Sequence, residues 1–142
     1  MRPDARRPDL ASSLPGIPVV RILAIDDSRT IRDMVRLALE REGIETELAE
    51  DGVHGIEVLD GMQRQPDAIL TDVNMPRLDG FGFIERVRQR PEYAGIPILV
   101  LTTESARDLK LRARAAGATG WIVKPFDPAR LVGALRTVTG LS

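Results

Sequence analysis

Asp26, Asp27, Asp72, Thr102 and Lys124 are the residues of this sequence whose types can do chemistry together. Each stands at the end of an apolar run: Asp26-Asp27 after 19–25, Asp72 after 68–71, Thr102-Thr103 after 96–101, and Lys124-Pro125 after 120–123. Three carboxylates in one pocket repel each other, and with ordinary pKa values of about 3.9 they do not ionise together without compensation. A divalent cation is the natural compensation. Oxygen-only donors with no Cys and no nearby His favour Mg²⁺ or Mn²⁺ over zinc. Lys124 adds a fixed positive charge and Thr102 a hydroxyl. Together they suit a phosphoryl group, with cations neutralising its oxygens and one carboxylate as nucleophile. Of the 20 basic residues only Lys110 and Lys124 are lysines, so a Lys at the end of an apolar strand invites a chemical reading.

These residues act together only if the fold brings the ends of the runs together. Between the runs, apolar residues recur at helical spacing: Ile31, Val35, Ala38 and Leu39, stopped by Gly43; Val53, Ile56 and Leu59, ending before Pro66; Phe81, Ile84 and Val87, closed by Pro91; an Ala/Arg-rich stretch ending at Gly117; and Leu131, Leu135 and Val138 after the cap pair Asp127-Pro128. The run 44–49 is less apolar, carries charges on alternate positions and is read as an edge strand. The pattern is (βα)5. Strands this apolar are buried on both faces, which means a parallel sheet between two helical layers. Right-handed crossovers then favour a flavodoxin-like three-layer α/β sandwich with strand order 2-1-3-4-5. Ligands of such sheets bind beyond the carboxyl ends of the strands, where all five residues fall. Glu50-Asp51, ending the edge strand, is placed outside the site.

Composition narrows the function classes. With 142 residues, 43% hydrophobic and 29% charged, the chain has the size and make-up of one globular domain. A net charge of −1 argues against electrostatic binding of nucleic acid, and the absence of cysteine removes disulfides and thiol chemistry. The run 96–101 is too short to cross a membrane, and the arginines near the start are followed by no apolar signal segment, so a cytoplasmic protein is expected. Residues 1–18, with four of the ten prolines, are expected to be a disordered tail and 19–142 the folded domain.

Ile25-Asp26-Asp27-Ser28, Thr71-Asp72-Val73-Asn74-Met75-Pro76 with Asp79-Gly80, Thr102-Thr103-Glu104, and Gly117-Ala118 leading to Lys124-Pro125-Phe126 follow in a characteristic order and spacing. Over about 120 residues the chain resembles the receiver (response regulatory) domain of two-component response regulators, in its CheY-like single-domain form. The resemblance implies that Asp72 is the phosphoacceptor, taking a phosphoryl group from the phosphohistidine of a histidine kinase of the CheA type. It implies that Asp27, Asp72 and the main-chain carbonyl of Asn74 hold Mg²⁺, with Asp26 acting through water. Thr102 and Lys124 would contact the phosphoryl oxygens, Asn74 and Glu104 would tune dephosphorylation, and the Lys124–Pro125 bond would be cis. Trp121 takes the place of the family's switch aromatic, normally Tyr or Phe.

The implied function is a monomeric signalling switch with no attached DNA-binding domain, read out by a target protein such as the flagellar motor switch in chemotaxis. A phosphate sink or phosphorelay shuttle fits the same residues. A Mg²⁺-dependent aspartyl-phosphate phosphatase of the haloacid-dehalogenase type uses similar groups, but needs a D-x-D nucleophile after its first strand, where this chain has Asp26-Asp27-Ser28, and a cap domain that is absent here. Of the remaining features, His54 is read as an ordinary partly exposed helical residue and Met34, Met62 and Met75 as core or loop fillers. Arg107, Lys110, Arg112 and Arg114 form either a solvated face or, with Trp121, a docking surface.

Overall fold

The computed structural model describes residues 19–103 and 107–140. Five strands, β1 (Arg21–Ile25), β2 (Glu45–Ala49), β3 (Ala68–Asp72), β4 (Ile98–Thr102) and β5 (Gly120–Val123), form one parallel sheet in the order β2-β1-β3-β4-β5. Five α-helices alternate with them: α1 (Arg29–Glu40), α2 (Gly52–Gly61), α3 (Gly80–Arg88), α4 (Arg107–Ala116) and α5 (Pro128–Thr139). This is the flavodoxin-like arrangement expected from the alternation. The tail 1–18 and Glu104 lie outside the described residues.

Side-chain alternation along each strand divides the core in two. Leu23, Ile25, Ile69, Ile98 and Val100 face Leu59, Phe83, Ile84, Val87, Ala113 and Ala116 of α2, α3 and α4. Ile22, Ala24, Leu70, Leu99 and Leu101 face Val35, Ala38 and Leu39 of α1 and Leu131, Val132 and Leu135 of α5. The three central strands are buried on both faces, while β2 is an edge strand as its charges foretold. Four helices begin with a side-chain cap: Ser28, Asp51, Asp79 and Asp127 accept from the backbone N–H of Ile31, His54, Gly82 and Ala129.

Several strand boundaries differ from the sequence reading: β1 starts at Arg21 rather than 19 and β2 at Glu45 rather than 44. β4 starts at Ile98 rather than Ile96, because Pro97 has no N–H for the ladder and contributes only its carbonyl, to Ile69 N–H at 2.9 Å. β3 and β4 each extend one residue further, taking in Asp72 and Thr102. Pro91 both follows α3 and opens a short 3₁₀ turn, Pro91–Tyr93. One side-chain reading is corrected: Met34 is 43% exposed on α1 and fills no core position.

Candidate functional site

The sheet register sets the carboxyl ends of β1, β3 and β4 side by side, with Ile25 paired to Thr71 and Asp72 to Leu101. Asp26 and Asp27 therefore emerge beside Asp72, and Thr102 lies one step beyond Asp72's neighbour. Carboxylate oxygens of Asp26, Asp27 and Asp72 all lie within 4.8 Å of one another. Asp26 and Asp72 are buried, at 3% and 8% exposure, and Asp27 is exposed.

Lys124 reaches this cluster from the far side of β4. Its Nζ lies 2.9 Å from Asp26 Oδ2 and 3.2 Å from Asp72 Oδ1, so one ammonium bridges two buried carboxylates. The Lys124 N–H donates to the Thr102 carbonyl at 2.6 Å, which extends the β4–β5 ladder past its end and delivers the side chain inward. The Lys124–Pro125 peptide bond is cis, as the resemblance implied. Asp26 is held by its own loop: Oδ1 accepts from Ser28 N–H at 2.9 Å, and its carbonyl accepts from Arg32 Nη1 at 2.7 Å. Asp72 Oδ1 accepts from Val73 N–H at 2.8 Å.

Burial pushes the Asp72 carboxyl above its ordinary value, and the negative charge of Asp26 pushes it the same way. Lys124 and the Val73 N–H offset part of this. Burial works against the Lys124 ammonium, but hydrogen bonding and charge from Asp26, then Asp72, outweigh it and raise its pKa. Three carboxylates facing one ammonium leave a negative surplus that a divalent cation relieves, and the all-oxygen donor set fits Mg²⁺. The residues present therefore fit the ion.

Gly80 is where this geometry allows no side chain. A Cβ there would stand 2.1 Å from the Asp72 carbonyl oxygen, so the start of α3 packs directly on the strand end.

Asn74 is exposed in the β3–α3 loop. Trp121 is half-buried, pairs with Val100 in the register and packs on the core beneath α4, with Lys110 Nζ 4.9 Å from its ring centroid. Arg112 likewise sits over Phe81, at 4.4 Å. The basic set on α4 is thus only partly a solvated face. His54 is partly buried on α2, its Nδ1 accepting from Glu50 N–H at 3.1 Å.

One feature beside the site had no signal in the sequence. Asp51 is 4% exposed and pairs with Arg77, Nε–Oδ2 at 2.9 Å and Nη2–Oδ1 at 3.1 Å, across 26 positions of chain. Asp51 thus lies outside the carboxylate cluster, as expected of the β2 end, yet grips the loop that follows Asp72. A contact this remote leaves no local pattern, and Asp-Gly before an apolar stretch reads only as a helix cap.

Comparison with known proteins agrees with this architecture. The family model described as "Response regulator receiver domain" matches residues 22–136. Chemotaxis protein CheY4 of Vibrio cholerae shares 42% identity with a TM-score of 0.80, over 85% of this chain and 99% of that one. Chemotaxis protein CheY1 of Helicobacter pylori is 37% identical over 122 residues, 85% of this chain and 98% of that protein. Response regulator MprA of Mycobacterium leprae is 37% identical over 119 residues, 84% of this chain. The chain spans about half the length of MprA, and a smaller or similar share of the other long relatives it matches.

Proposed function

The chain belongs to the response regulator receiver family, and from that premise we propose that it is a switch phosphorylated on Asp72 by a histidine kinase and read by a target protein. The observation that carries the proposal is Lys124 bridging Asp26 and Asp72 inside a three-carboxylate cluster. Receiver domains bind Mg²⁺ at such an acidic pocket, and here Asp27, Asp72 and the main-chain carbonyl of Asn74 would hold it, with Asp26 acting through water. Bound there, the ion would supply charge neutralisation for the phosphoryl oxygens.

Asp72 is the nucleophile in this reading: it stands at the end of a central strand with Thr102 and Lys124 alongside, while Asp26 and Asp27 would be committed to the metal. A carboxylate oxygen of Asp72 forms the new O–P bond as the P–N bond to the donor imidazole breaks, and the imidazole leaves with the electron pair. Lys124 lies where it can hold the resulting negative oxygens, and the Thr102 hydroxyl can donate to them. Asn74 and Glu104 would border the path of the water that later removes the group. Autodephosphorylation is then the only hydrolysis, which separates this protein from a phosphatase that turns over free phosphate esters.

Similarity to CheY1 and CheY4 along nearly their whole length supports chemotaxis, with a CheA-type kinase, a cytoplasmic location and the flagellar motor switch as target. A phosphate sink or shuttle would use the same site. No helix among the described residues is long and apolar enough to cross a membrane. The readout surface would be α4, β5 and α5, with Arg107, Lys110 and Arg114 on α4 and Lys110 over the Trp121 ring.

Acetyl phosphate with Mg²⁺, followed by borohydride trapping and mass spectrometry, should mark Asp72 alone. Asp72→Asn should abolish the label, and Asp27→Ala should abolish both label and Mg²⁺ binding. A label on Asp26 or Asp27 would overturn the assignment.

A further inference from the structure

The β3–α3 loop, which carries Asn74, is gripped from outside by the corner that ends β2. Two contacts make the grip. Gly52 N–H donates to the Leu78 carbonyl at 3.0 Å, and the Arg77 guanidinium forks onto the Asp51 carboxylate. Both are built tightly. A Cβ at position 52 would stand 2.4 Å from the Leu78 oxygen, so only glycine admits that approach. Arg77 has φ 67°, the left-handed region that a non-glycine residue adopts rarely, and it is the only such residue among those described. The fork onto Asp51 supplies a reason for it to stay there. Asp51 is itself fixed, since its Oδ1 also accepts from His54 N–H at 2.8 Å as the cap of α2. Hydrogen bonding from Arg77 holds the Asp51 carboxyl below its ordinary value, so the pair is charged at neutral pH.

We propose that Asp51 and Arg77 are positioning residues for the Mg²⁺ and phosphoryl site: their ion pair fixes the β3–α3 loop and thereby presents the Asn74 carbonyl toward the carboxylate cluster. The proposal rests on the reading above that this carbonyl is a metal ligand. The physical argument is the short chain between anchor and ligand. Arg77 is three residues from Asn74, and the intervening loop is closed by Leu78 N–H on the Pro76 carbonyl at 2.7 Å and by Gly80 N–H on the Val73 carbonyl at 2.8 Å. A loop tied at Val73, Gly80 and Arg77 has little freedom to turn the Asn74 carbonyl away. Releasing Arg77 restores that freedom, and the ordering of the loop must then be supplied by metal binding itself. Neither residue touches the carboxylate cluster, so their effect is on affinity for the ion and not on the chemistry of Asp72.

Arg77→Gly accepts the left-handed backbone and removes the fork, but it also loosens the loop, so it is read together with a variant that leaves the loop's own residues unchanged. Asp51→Asn keeps an oxygen for the His54 N–H while removing the charge. Mg²⁺ binding to the full chain, measured by isothermal titration calorimetry, should weaken by about 10-fold in each variant, the scale of losing a residue that orients a ligand. The double variant should be no weaker than either single one, since both break one device. Arg77→Lys should fall between wild type and Arg77→Gly. Arg90→Ala, which breaks the more exposed pair with Asp60 outside the carboxylate cluster, should lower thermal stability and leave Mg²⁺ affinity unchanged. If wild type binds Mg²⁺ and Arg77→Gly binds it equally well, the positioning role is overturned while the switch reading stands. If Arg90→Ala weakens Mg²⁺ as much as Arg77→Gly does, the effect is one of stability and the role is likewise overturned. If wild type itself binds no Mg²⁺, the reading of the site falls first, and this role with it.

Discussion

Asp51 and Asp72 are both buried aspartates at strand ends, and the fold treats them in opposite ways. Asp51 has its own arginine and a backbone N–H, and these hold its carboxyl below the ordinary value despite burial. Asp72 shares one lysine with Asp26, and burial together with Asp26's charge raises its carboxyl above that value. The first carboxylate is satisfied and serves the architecture. The second is under-compensated and, on the proposed reading, serves chemistry, because a group that the fold leaves short of positive charge has a use for a cation and for a new partner. The two are joined through one loop: Asp51 holds Arg77, and the same loop begins at Asp72.

Removing Lys124 should give the largest change in this contrast. In Lys124→Ala, Asp26 and Asp72 face each other without a cation. Breaking a buried pair is costly, but solvent reaches part of this site, so a loss of about 1–2 kcal/mol is expected. For a domain of this size that lowers Tm by roughly 3–8 °C in metal-free buffer. Millimolar Mg²⁺ should restore part of the loss, as should acid, which neutralises the carboxylates. A Tm that matches wild type without metal would show that Lys124 does not compensate the cluster.

Asn substitutions at the two aspartates should next move stability in opposite directions. Asp72 binds a proton more readily in the fold than in the unfolded chain. Its presence therefore makes stability fall as the pH rises from 3.8 through its raised value. Asp72→Asn should accordingly raise Tm at pH 7, with the gain vanishing as the pH falls toward 3.8. Asp51 has the reverse linkage: its contribution is present above 3.8 and is lost as the pH falls through its lowered value. Asp51→Asn should lower Tm at pH 7, and the difference from wild type should shrink in acid. Thermal melts at pH 7, where equal signs for the two variants would end the comparison, and along a series below pH 3.8, where the Asp51→Asn deficit should shrink, decide it.

The smallest expected signal comes from Trp121, the only tryptophan in the sequence. It lies on the same sheet face as Val100 and carries Lys110 over its ring, so a shift of Thr102 toward a phosphoryl group would alter its surroundings. Mg²⁺ with beryllofluoride should change its emission beyond the effect of Mg²⁺ alone, because one side of a half-buried indole would repack. Asp72→Asn should show no such change. Identical spectra throughout would mean that activation does not reach this ring.

What the amino-acid sequence determined by itself was everything that repeats or alternates. Apolar runs separated by helical spacing specify the (βα)5 order, because burial on both faces and right-handed crossovers leave few other arrangements. Once the strands are parallel, the residue after each run is bound to fall at one sheet edge, so Asp26, Asp27, Asp72, Thr102 and Lys124 were legible before any coordinates. Tertiary structure alone decided how charge is shared among them: that one ammonium serves both Asp26 and Asp72, that burial and Asp26 raise the Asp72 carboxyl, and that Asp51 is tied to Arg77. Those outcomes depend on distances of about 3 Å between groups tens of residues apart and on how much water each retains. Periodicity constrains which face a side chain occupies. It carries no information about which of several neighbouring charges will meet, because that is set by loop paths and register at the scale of a single hydrogen bond.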